Sequence, residues 1–128
     1  KLKTYKYRDD VVMNGYLDYL ELCKVLGSAY AMVYASLLEG FGVPVLEAMR
    51  CEVPVITSAN SSMQEITHNA ALYSDPSNFN DIADKMMLLY KDENLRKKMT
   101  QKGKEIADQY SWDRTAEAVW QTVLKTVG

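Results

Sequence analysis

Three short apolar runs, "AMVYAS", "VPVITS" and "AALY", stand in order between residues 31 and 73, and helical spacing resumes after each. None alternates polar and apolar residues as a strand wetted on one face would. Each therefore predicts a strand covered on both faces: Ala31–Ala35, Val53–Ser58 and Ala70–Tyr73, the last stopped by Asp75-Pro76. Strands that alternate with helices predict a parallel sheet flanked by helices, because parallel neighbours need a crossover between them. The expected architecture is α/β.

The remaining elements follow from punctuation and period. Val11–Met13 is β-branched and closed by Asn14-Gly15, which predicts a further strand ending in a turn. Asp18 with Glu21 three residues later forms a capping-box pattern. With Leu22, Cys23, Leu26 and Tyr30 it predicts a helix from about 18 to 29. Val43–Arg50 should be a short helix, and "SSMQEI" one helical turn. Phe79, Ile82, Ala83, Met86, Met87 and Tyr90 keep helical period, and Leu95, Met99, Ile106 and Tyr110 form a sparser stripe. Ser111 suits an N-cap for a last helix whose face is Trp112, Ala116, Val119, Trp120, Val123 and Val127. The two tryptophans are expected to anchor it by packing.

The chain has 128 residues, room for one hydrophobic core and hardly for two. Its net charge of −2 supplies no basic field of the kind that nucleic-acid binding requires. No apolar run approaches the roughly 20 residues that span a bilayer. Cys23 and Cys51 lack CxxC spacing and are expected to be reduced thiols packed as small hydrophobes, which suits the cytoplasm. His68 is the only histidine and falls in an apparent loop, outside any catalytic arrangement. The opening "KLKTYKYRDDVVMNGY" reads like an excerpt that starts partway through a larger fold.

Ligands of open parallel sheets bind beyond the carboxyl ends of the strands, where "SLLEGFG" should lie. Gly40 and Gly42 permit positive φ or close approach to the backbone, and Pro44 suits the first helical position. The amides around Gly42, Val43 and Val45 would then leave a helix N-terminus, where an anion is favoured. Glu47, one turn on, leans back toward that end and could accept from a ribose diol, while Glu39 precedes the glycines at the sheet rim. Two carboxylates beside an anion make sense facing neutral polyols, as in a nucleotide-sugar. Charge opposes this in part: Glu39, Glu47, Arg50 and Glu52 give the stretch from 37 to 58 a net of −2, whereas a diphosphate wants cations.

With "EGFGVPVLEAM", then "PVITS", "SSMQE" and "AALYSDP", the chain resembles the retaining GT-B glycosyltransferases of family 4 (glycosyl transferases group 1). The resemblance runs nearly end to end. It implies a Rossmann-like sheet, with residues 1–128 as a single, truncated C-terminal donor-binding domain and the isolated piece inactive. It implies that Glu39, the catalytic position, hydrogen-bonds hydroxyls of the donor sugar. Gly40, Phe41 and Gly42 would set backbone against sugar and diphosphate, Val43, Val45 and Leu46 would lie at the helix end that meets the phosphates, and Glu47 would bind the ribose. The implied partners are a nucleotide-diphosphate sugar and a missing N-terminal acceptor domain, with no metal or other cofactor and no nucleic acid. Two departures stand out: Glu52-Val53 replaces the usual glycine before the second strand, and Gln64 replaces a proline before Glu65. The family's diphosphate-binding Arg and Lys have no counterpart in the chain.

Rival readings make different demands. A glycoside hydrolase would set Glu39 and Glu47 face to face about 5–9 Å apart. A receiver-type module would want acidic strand ends, where this chain has Ala35-Ser36 and Thr57-Ser58. A GT-B epimerase or other nucleotide-sugar enzyme is the nearest alternative in chemistry. The basic run Arg96, Lys97, Lys98, Lys102 and Lys104 could touch anionic lipid in the intact enzyme, but amid Asp92, Glu93 and Glu105 it reads as a solvated helix face.

Overall fold

The computed structural model describes residues 6–59 and 62–127. Strands β1 (Met32–Tyr34), β2 (Val55–Ser58) and β3 (Leu72–Ser74) form a parallel sheet in that order, with Val33 opposite Ile56 and Thr57 opposite Tyr73. Six α-helices are interleaved with and follow them among the described residues: α1 (Tyr19–Gly27), α2 (Val43–Arg50), α3 (Met63–Thr67), α4 (Phe79–Lys91), α5 (Glu93–Ala107) and α6 (Trp112–Val127). The parallel α/β expectation holds, and α2 has the bounds its sequence predicts.

The core is built around β2, whose four residues are all buried. Side chains alternate faces along a strand, and the two cores follow that alternation. Val55 joins Val45, Ala48, Met49, Met63, Ile66 and Ile106, drawn from α2, α3 and α5. Ile56 joins Leu89 and Met99 on the opposite side. At about 25 cal/mol per Å² of apolar surface removed from water, these few side chains dominate the stability. Helices α2 and α5 approach closely because Gly103 has no side chain; a Cβ there would lie 3.1 Å from Met49 Cγ. Arg50 extends the same contact, its Nη2 donating to the carbonyls of Ala107 (2.9 Å) and Tyr110 (2.6 Å) at the end of α5.

Several expectations are corrected. Val11–Met13 is exposed irregular chain, because no described strand lies beside it to take its hydrogen bonds. The first helix spans Tyr19–Gly27 rather than 18–29; its capping box is present, with Asp18 accepting from the Glu21 amide at 2.8 Å. Strand β1 is an edge strand with Val33 39% exposed, so it is not covered on both faces. In α4 the expected Phe79, Met86, Met87 and Tyr90 face outward and the core contact is Leu89, which the periodicity missed. Helix α6 has its Ser111 cap, the hydroxyl accepting from the Arg114 amide at 3.2 Å. Its tryptophans nevertheless anchor nothing: Trp112 is 80% and Trp120 57% exposed. Cys51 is an exposed thiol, not a packed one, and Cys23 is half-buried.

Candidate functional site

The stretch from Ser36 to Gly42 runs from the carboxyl end of β1 into α2. Gly42 caps α2 at φ 102°, ψ 47°, a left-handed conformation that glycine adopts without strain, and its missing Cβ leaves room for the Met63 methyl. Gly40 differs: nothing lies within 4 Å of where its Cβ would be, so the chain there is open to a neighbour. Val43 is the first helical residue and Pro44 the second, one place later than expected. The Val45 amide donates to the Gly42 carbonyl at 3.0 Å and its side chain is in the core; at this helix end Gly42 is buried and Val43 is exposed. Leu46 packs part-buried against the same core. Phe41 is exposed on one side and meets Tyr110 edge-on at 5.8 Å.

The two acids have different neighbours. Glu39 Oε1 accepts a 2.7 Å hydrogen bond from the hydroxyl of Tyr34, the last residue of β1. That bond, followed by burial and the charge of Glu39, pushes the Tyr34 phenol above its ordinary range. Glu47 is exposed on α2, and its charge acts on Tyr19 at the start of α1. The Tyr19 phenol is raised first by its hydrogen bond with Cys23, then by the charge of Cys23, by burial, and by Glu47 and Cys51. The remaining charges of the stretch are committed elsewhere, Arg50 to the end of α5 and Glu52 to Lys104.

The motifs "PVITS" and "SSMQE" contain the hydroxyls beneath the loop but do not tell what those hydroxyls bind. Thr57 donates to the Tyr34 carbonyl at 2.9 Å and Ser58 to the Ser36 carbonyl at 2.6 Å. Ser62 reaches the carbonyls of Glu39 (3.1 Å) and Phe41 (2.9 Å). Small hydroxyl residues closing a buried strand were the available signal, since such ends border the ligand face of a parallel sheet. Of the "SSMQE" stretch, Ser61 lies outside the described residues. His68 is an exposed left-handed cap of α3, as a loop residue would be.

Grooves occur elsewhere. One of about 530 Å³ runs beside α6 past Tyr110, Arg114 and Val123, and one of about 380 Å³ lies at Ser74, Asp75 and Asp81. The glycine loop itself is an open surface, with Gly40, Phe41, Val43 and Glu47 exposed. Among the described residues no group of three or more His, Cys, Asp or Glu is arranged to hold a metal ion. None of the described helices is long and apolar enough to cross a membrane.

A parallel sheet flanked by helices, with a glycine-rich turn leading from its first strand into α2, defines an open α/β layer. Residues 1–106 match the family described as "Glycosyl transferases group 1", and the chain belongs to that family. It is 36% identical over 99 residues to the O-antigen chain mannosyltransferase B of Escherichia coli, covering 77% of this chain and 26% of that protein. Its fold matches the sucrose-phosphate synthase of Thermosynechococcus elongatus with a TM-score of 0.90 at 25% identity, over 98% of this chain and 32% of that one. It also matches the C-terminal domain of a glycosyl transferase group 1 family protein from Francisella tularensis (TM-score 0.66, 31% identity, 76% and 51% of the two chains). The fold is thus the parallel α/β layer of GT-B glycosyltransferases, and the chain spans about a quarter to a third of the mannosyltransferase and the synthase.

Proposed function

We propose that residues 1–128 form a single, incomplete C-terminal donor-binding domain of a retaining glycosyltransferase. It holds a nucleotide-diphosphate sugar while the sugar moves to an acceptor hydroxyl. The observation that carries this reading is the exposed turn at Gly40 and Phe41, which leads into α2 with Glu39 immediately before it and Glu47 exposed one turn into the helix. In the proposed arrangement the amides of Gly42 and Val43 and the dipole of α2 face the diphosphate. Glu39 accepts from the sugar hydroxyls, and Glu47 accepts from the ribose. Phe41 and Gly40 pass backbone along the sugar, while Val45 and Leu46 hold the helix end in place from the core side.

Transfer with retention by same-face attack asks the protein to position the donor and to stabilise charge on the leaving diphosphate. The sequence has no DxD-type motif, and the proposed reaction uses no metal. Arg50 is engaged at α5, so the cations for the diphosphate come from an earlier part of the nucleotide domain, and the acceptor from a preceding domain. The O-antigen chain mannosyltransferase relative favours a polysaccharide acceptor, and the free thiols of Cys23 and Cys51 favour a cytoplasmic enzyme. The basic face of α5 offers peripheral contact with a membrane only weakly: Arg96 pairs with Glu93, Lys104 with Glu52, and Lys102 donates to the Asn69 carbonyl.

Glu39→Ala in the intact enzyme tests the reading. Losing a charged hydrogen bond to the donor should reduce kcat/KM for nucleotide-sugar by about 10- to 100-fold, and unchanged transfer would remove Glu39 from the site. The 128-residue chain alone should turn over no nucleotide-sugar. A panel of UDP-, GDP- and ADP-sugars identifies the donor.

A further inference from the structure

The Glu39 carboxylate is on a loop, and loops leave side chains free to wander unless something fixes them. Here the fixing group is a strand residue. Tyr34 ends β1, its ring packs part-buried against the larger core, and its backbone carbonyl is held by Thr57 at 2.9 Å. Its hydroxyl emerges from that rigid seat to meet Glu39 Oε1 at 2.7 Å. Ser62 fixes the same loop through the backbone, at the Glu39 and Phe41 carbonyls.

The geometry points to Tyr34 as a positioning residue that aims the Glu39 carboxylate at the donor sugar. This rests on the donor-binding reading of Glu39. The phenol acts as a strut between core and loop, so one carboxylate oxygen is anchored and the orientation of the group about its terminal torsion is set. That torsion is otherwise broad. Sites hold productive geometry when the supporting residue is itself locked by packing, and Tyr34 meets that condition. Its role is confined to the sugar end of the ligand, because the nucleotide flank belongs to Glu47 on α2.

Tyr34→Phe keeps the ring and removes only the hydroxyl. In the intact enzyme, with the nucleotide-sugar it uses, this variant should lose about tenfold in kcat/KM. The binding of the corresponding nucleoside diphosphate should stay within twofold and Tm within about 2 °C. In a Glu39→Ala background the same substitution should cost less than twofold, because the strut then has nothing to aim. A full tenfold loss in that background, or equal losses for nucleoside diphosphate and nucleotide-sugar, would show a structural role and overturn the inference. A silent Tyr34→Phe beside a damaging Glu39→Ala overturns the inference and leaves the donor-binding reading standing. A silent Glu39→Ala overturns both.

Discussion

Glu52 stands where the family pattern has glycine, a departure that by itself implies an altered turn into β2. The backbone shows the opposite: Glu52 has φ 60°, so it adopts the left-handed conformation that a glycine would supply. A non-glycine residue there carries about 1–2 kcal/mol of strain. Its exposed partner Lys104 offsets little of that. Glu52→Gly should therefore hold or raise stability, since relief of strain outweighs the greater entropy of an unfolded glycine. Glu52→Val, β-branched in a left-handed turn, should lose about 1–2 kcal/mol, or roughly 3–10 °C in Tm. Thermal unfolding of the two variants gives the sign directly; a valine as stable as the glycine would show that the turn relaxes freely. Tyr34 adds a pH signature of its own. Its phenol is raised in the folded state, so folding favours the protonated form. That contribution is present below the ordinary phenol range and fades as pH climbs through the raised value.

At the level of elements, legibility followed how local the cause was. Helix α2 was read with its bounds because proline, glycine and the apolar spacing of Val45, Ala48 and Met49 all act within one turn of each other. The Asp18 cap was legible for the same reason. What failed depended on partners distant in sequence. Val11–Met13 has strand composition and no strand to pair with, and α4 turns Leu89 inward because the groove left by β2 and α5 is on that side. Of the candidate site, the motif supplied the glycines and both acids as expectations. The Tyr34 and Ser62 hydrogen bonds were not legible, because a tyrosine at the end of a strand announces a core residue long before it announces a strut. The Gly103–Met49 contact was equally hidden, and it is testable. Gly103→Leu would force α5 off α2 and should lose about 2 kcal/mol in urea unfolding. Gly103→Ala should stay near neutral, its helix-propensity gain set against a 3.1 Å contact. Equal tolerance of both would mean that the two helices are not tightly seated.

On the scale of the molecule, the chain divides into a packed part and an unpacked one. Sheet, α2, α3, α4 and α5 share the two cores, whereas α6 contributes no buried residue although its apolar residues recur at helical spacing. Periodicity reports that a face is apolar; it does not report what the face meets. Stability follows contacts made, so α6 should add little to the unfolding free energy of these 128 residues despite being the longest helix among those described. Trp120→Glu should accordingly change stability by no more than about 0.5 kcal/mol, the range for surface substitutions. A buried tryptophan replaced by a charge would instead lose several kcal/mol. Trp112 and Trp120 are the only two tryptophans in the sequence, so fluorescence reads α6 without interference. Emission should be that of indoles in water, readily quenched by acrylamide, and should change little as the core unfolds in denaturant while circular dichroism reports the transition. Blue-shifted emission that moves with that transition would place α6 in the cooperative core and contradict the division between packed and unpacked elements.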